Sequence, residues 1–132
     1  MNRFFVLLAF LALSSFAPQA MSQDEFIVYS MYRPVDLGDS SEPPAKDYFL
    51  NLGTRNGLKN GHLVKVFRRA ATYDLTSQKL FKDVQFPIAR LRVIHAESHA
   101  AIARLEGFLP VDKTPGISPR AIMVGDVVRQ GE

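Results

Sequence analysis

The sequence predicts an all-β domain: a small, mostly antiparallel β-barrel of five to seven strands, SH3-like or OB-like in size, lying after a cleaved signal peptide. Three observations lead there. Short runs of β-branched and aromatic residues recur along the chain, glycine- and proline-containing turns separate them, and no segment sustains a helical period. The chain has 132 residues with 8 Gly and 8 Pro, enough of each to punctuate every run.

The first expected strand is EFIVYSMY, Glu25 to Tyr32. It stops at Arg33-Pro34, because proline offers no N–H to a ladder. The segment VDLGDSSEPPAK follows as a loop, with Gly38, Pro43 and Pro44 as breakers. DYFLNL, Asp47 to Leu52, is the second strand and HLVKVFRRAATY, His62 to Tyr73, the third, where Val64 and Val66 alternate with Lys65. Thr72 to Gln85 is weakly patterned and suits either a helical turn or a hairpin extension. In FPIARLRVIHAE, Phe86 to Glu97, Leu91 and Val93 fall on one face and Arg90 and Arg92 on the other. AAIARLE, Ala100 to Glu106, returns as its hairpin partner, with a short helix as the alternative by propensity. Gly107 to Arg120 holds three prolines and reads as loop. AIMVGDVVRQ, Ala121 to Gln130, is a last strand, broken by a turn or bulge at Gly125-Asp126.

The N-terminus begins MNRFFVLLAFLALSSFAPQA, with one basic residue, Arg3, before an apolar run from Phe4 to Leu13. That is the layout of a secretory signal peptide, and the run is short of the roughly twenty residues a membrane-spanning helix needs. Cleavage is expected after Ala20 or Ser22, with Ser22 preferred; a retained N-terminal anchor is the alternative. Removing 22 residues leaves 110, one domain of modest core, with no transmembrane segment. The organisation expected is therefore 1–22 signal peptide, 23–45 N-terminal strand and Pro-rich loop, and 46–132 barrel. With no cysteine, an exported chain relies on packing alone and has neither a thiol nucleophile nor a thiolate metal site.

Charge is uneven. Asp24 to Asp47 carries six acidic residues against two basic ones, whereas Arg55 to Arg104 carries ten basic against three acidic. The basic middle is a candidate footprint for an acidic partner. On alternating strands Lys65, Phe67, Arg69, Arg90, Arg92 and Arg104 fall on outward faces and form the candidate partner-binding surface. The competing interpretation is a solvated face whose cations pair with acidic residues of neighbouring strands or of the N-terminal third.

NLGTRNGLKNGHL places Gly53, Gly57 and Gly61 at four-residue spacing. A phosphate loop requires Lys and then Ser or Thr after its last glycine, and a helix; here His62, Leu63 and a strand follow. A membrane helix-pairing motif requires apolar neighbours, and these include Arg55 and Lys59. What remains is a double turn at Asn56-Gly57 and Asn60-Gly61 with Leu58 tucked between, Gly53 and Gly125 serving as further structural turns. HAESH, His95 to His99, lacks the order of a zinc helix and falls across the expected hairpin turn, so no metal site is assigned. Ser98, Glu97 and Glu106 find no partner pattern for nucleophilic or glycosidic chemistry. No catalytic residue and no cofactor is predicted.

Taken together, YFLNLGTRNGLKNGHLVKVFRR, PIARLRVIHAESHAAIARL and IMVGDVV resemble the small β-barrel module at the C-terminal end of bacterial flagellar assembly protein T and of other exported envelope proteins. The likeness spans about Lys46 to Arg129: a strand ending in N-x-G-x-x-x-G-x-x-x-G, a V-x-V strand, a hairpin and a closing V-G-D-x-V. It departs at His62, where the module carries an acidic residue. The resemblance implies a non-enzymatic, periplasmic structural or assembly role in a bacterial envelope machine, flagellar or motor-associated, with an envelope protein assembly or further copies of itself as partners. The alternative expectation is a periplasmic binding module for an anionic glycan such as peptidoglycan, served by the basic surface. Export argues against nucleic acid as partner.

Overall fold

A computed structural model describes residues 25–38, 41–116 and 119–131; the expected signal peptide lies outside the described residues. Six strands run as β1 (Val28–Tyr32), β2 (Asp47–Leu50), β3 (Leu63–Asp74), β4 (Lys79–Ala96), β5 (Ala101–Phe108) and β6 (Val127–Gln130). They form one sheet in the order β1-β2-β5-β4-β3-β6, every pairing antiparallel. The all-β expectation holds.

The sheet curls until its edge strands touch. Ile27 bridges to Val127. The Val28 N–H donates to the Asp126 carbonyl at 2.9 Å, the Gly125 N–H to that of Val28 at 2.8 Å, and the Val128 N–H to that of Phe26 at 2.9 Å. No continuous ladder joins the two edges, so the sheet is not a closed barrel. Both edges are short, and β1 shifts register against β2 between Val28 and Ser30.

Alternation fills the core. Val64 and Val66 of β3, Leu91 and Val93 of β4, and Ala101 and Ala103 of β5 all face inward and are buried. Val28 and Leu50 join the same cluster, so β1 packs within its own chain. AAIARLE is strand, not helix, because Ala101 and Ala103 pair with Leu50 and Tyr48 of β2 and with Ala96 and Val93 of β4. Small side chains there fill what the larger neighbours leave, and tertiary packing overrides alanine's helical preference.

The double turn forms as expected. Gly57 has φ +82° and Gly61 φ +86°, conformations that L side chains rarely adopt, and Leu58 between them is fully buried. That burial contributes roughly 1.5–3 kcal/mol and anchors the segment. The Gly61 N–H donates to the Val93 carbonyl at 2.8 Å and aligns the start of β3 on β4. Gly53 acts differently. Its backbone is extended (φ −154°), and a Cβ there would lie 2.1 Å from the Glu97 carbonyl oxygen. The glycine is needed for close approach to the β4–β5 turn.

The segment expected as a helical turn or a hairpin extension is the latter. β3 and β4 continue past the body as a two-stranded arm. β6 pairs β3 only over Val64 to Phe67, and β5 pairs β4 only over Ala89 to Ala96. The Asp74 carboxylate sets the tip, accepting the Thr76 N–H at 2.9 Å and the Ser77 hydroxyl at 2.5 Å. Those bonds, Ser77's first, hold the Asp74 carboxyl below its ordinary range. The expected strand Ala121 to Gln130 shortens to β6, because Met123 to Asp126 closes a turn at Gly125, φ +96°.

Candidate functional site

The arm leaves five large apolar side chains exposed. Tyr73 is 54 % exposed, Leu75 83 %, Leu80 52 %, Phe81 49 % and Val84 40 %. Register explains the pattern. Arg68 opposes Phe86, Ala70 opposes Val84 and Thr72 opposes Phe81, so the core-facing side of the sheet runs on up the arm beyond buried Phe86. A bulge between Ala70 and Thr72 keeps Phe81 on that side. Tyr73 and Leu80 pair on the opposite side. Both outer edges of the arm also present unpaired backbone groups, the arrangement that accepts an added strand.

The six residues of the predicted basic surface share the body's outer face but not one role. Arg92 meets Glu106 through two hydrogen bonds of 2.9 Å and donates to the Gly61 carbonyl at 3.0 Å. Arg92 first, with Arg90 adding to the field, holds the Glu106 carboxyl below its usual value. Arg104 donates to Asp47 at 2.7 Å. Arg69 pairs with Glu25 and, at 3.5 Å, with Asp83. Glu25 and Asp47 belong to the acidic N-terminal third, which thus folds back onto two of these cations. Lys65 and Arg90 are directly opposite each other on β3 and β4, and neither has an ion-pair partner among the described residues.

Sequence reasoning missed Arg129. It stands opposite Lys65 on β6, with its guanidinium 4.5 Å from the centroid of the Phe67 ring and a hydrogen bond to Gln85. Only the pairing of β6 with β3 reveals this, and no local signal carries it. Also missed was Arg68, whose guanidinium holds the buried Asp126 carboxylate through two 2.8 Å bonds and caps the Ala121 carbonyl at 2.5 Å. Asp126 in turn accepts the Met123 N–H at 2.8 Å. This cluster pins the segment before β6 to β3.

The histidines separate as the hairpin requires. His95 on β4 contacts Glu97 at 2.7 Å, and His99 in the turn contacts Arg55 at 3.0 Å. No group of three or more metal-ligating side chains forms among the described residues. A polar cleft of about 510 Å³ lies beside that turn, lined by Glu25, Phe26, Asn51, Arg55, Asn56 and His99. Its Asn51 amide is committed to the backbone of Glu25 and Ile27. A smaller apolar cavity of about 100 Å³ lies between Ile88, Phe108 and Val111. No helix among the described residues is long and apolar enough to cross a membrane.

The chain matches no protein-family model and no curated protein.

Proposed function

We propose that the chain is a non-enzymatic docking component of a bacterial envelope assembly, exported to the periplasm, with the β3–β4 arm as its docking element. The observation that carries this is the apolar strip of Val84 and Phe81 running out of the core onto an arm that pairs only with itself. Scattered exposed apolar residues are ordinary, but a contiguous set on a projecting two-stranded ribbon marks a surface that a partner covers. A hairpin of two strands is marginal in water by itself, and packing against a partner supplies the third layer that it lacks. The resemblance of Lys46 to Arg129 to the module of flagellar assembly protein T makes a flagellar or motor-associated apparatus the leading instance.

The test is crosslinked affinity purification of the tagged chain from intact cells. Wild type should bring down envelope proteins or further copies of itself, and Phe81→Asp should lose them while keeping its thermal transition. Recovery of bare monomer by the wild type, or equal recovery by the variant, would contradict the reading.

A further inference from the structure

We propose a second, separate site: the row Arg129, Lys65 and Arg90 on the outer face of β6, β3 and β4 binds an anionic glycan through successive carboxylates. The three residues oppose one another in direct register, Lys65 with Arg129 on one side and with Arg90 on the other. Residues so paired point to the same side of a sheet, and like charges directly opposite destabilise it. Arg92 and Arg104 also oppose each other on this face, but there carboxylates offset the repulsion. Arg69, Arg92 and Arg104 each hold a carboxylate, so the face is not uniformly basic for the sake of solubility. The cations of this face without an ion pair among the described residues stand in one row across three adjacent strands, with Glu106, held by Arg92, the carboxylate whose field Arg90 shares.

The row is also prepared. Arg129 is held on the Phe67 ring and by Gln85, so its guanidinium has a fixed plane for a carboxylate to meet. Adjacent strands lie about 4.8 Å apart, so the three backbone positions span roughly 10 Å, and the Arg129 guanidinium leans from β6 across β3 toward Phe67 and Gln85. A compact anion meets one or two of the cations; an extended chain bearing a carboxylate on successive sugars meets all three. Single-stranded nucleic acid is a poorer fit, because it binds through aromatic faces open for base stacking. The ring beside this row, Phe67, is already covered by Arg129.

The test is fluorescence anisotropy of a labelled oligogalacturonate, a carboxylate glycan, titrated with the full-length chain over a range of salt. Affinity should fall steeply with salt, Lys65→Glu should weaken binding at least about tenfold, and Arg90→Gln should lower the salt slope by about one. Arg104→Gln, on the same face but taken from a paired cation, should leave the slope unchanged. Because Lys65→Glu places a carboxylate between two arginines, it should unfold no earlier in denaturant than wild type, which separates lost binding from lost fold. Absence of binding, equal losses for Lys65→Glu and Arg104→Gln, or tighter binding of an oligothymidylate of the same length would overturn the proposal.

Discussion

Arg68 reaches across from β3 to Asp126, and their side chains are only 11 % and 6 % exposed. Hydrogen bonding to Asp126 raises the Arg68 guanidinium above its ordinary value, so Arg68 stays charged throughout the working range of pH. Truncation at Arg68→Ala would leave a buried carboxylate with the Met123 N–H as its remaining bond. That loss should cost roughly 3–5 kcal/mol, a large share of the 5–15 kcal/mol typical of a domain. Denaturant unfolding checks it, with Arg69→Ala as control: its partners Glu25 and Asp83 are exposed, so its effect should be far smaller. Alternation puts Arg69 on the outward face and Arg68 on the side of Val64 and Val66, but the sequence does not show what Arg68 meets there, because its partner lies 58 residues downstream. Gly57 and Gly61 were legible for the opposite reason. Their requirement for positive φ is set by the chain within four residues, and asparagine precedes each.

At the scale of elements, β3 and the body half of β4 could be anticipated because alternation reports a half-buried strand, and β5 only as the return of that hairpin. The arm could not be assigned from Thr72 to Gln85, because both of its faces meet solvent and burial imposes no period there. Its length follows instead from where β5 and β6 stop. The same geometry predicts its stability. Among the described residues the strand pairing of 71–83 runs only across the hairpin, whereas Val64 and Val66 lie between two neighbouring strands in the core. Amide hydrogen exchange of the dilute chain should therefore show arm amides opening far more readily than those of Val64 and Val66. Uniform protection along β3 would contradict an arm supported by itself alone. The row of Arg129, Lys65 and Arg90 lies at this scale too. Two of its members were read from strand alternation, and the third needed the register of β6.

Over the whole molecule, the two surfaces divide the work of the fold. A continuous core from Val28 to Val128 holds the body, and contacts between β1 and β6 draw its edges together without closing the ladder. Glu25 and Asp47 bring the acidic N-terminal third back against Arg69 and Arg104, which leaves Arg129, Lys65 and Arg90 as a row of this face with no ion pair among the described residues. The arm projects from the opposite end of β3, carrying exposed Tyr73, Leu75, Leu80, Phe81 and Val84. The most direct test of its role is a photo-crosslinking amino acid placed at Phe81 in the native host, with the same group at Ile94, exposed on the body, for comparison. Docking through the arm predicts discrete heavier adducts at Phe81, containing an envelope protein or a second copy of the chain, that are missing at Ile94. No adduct at Phe81, or the same adducts at both positions, would contradict it.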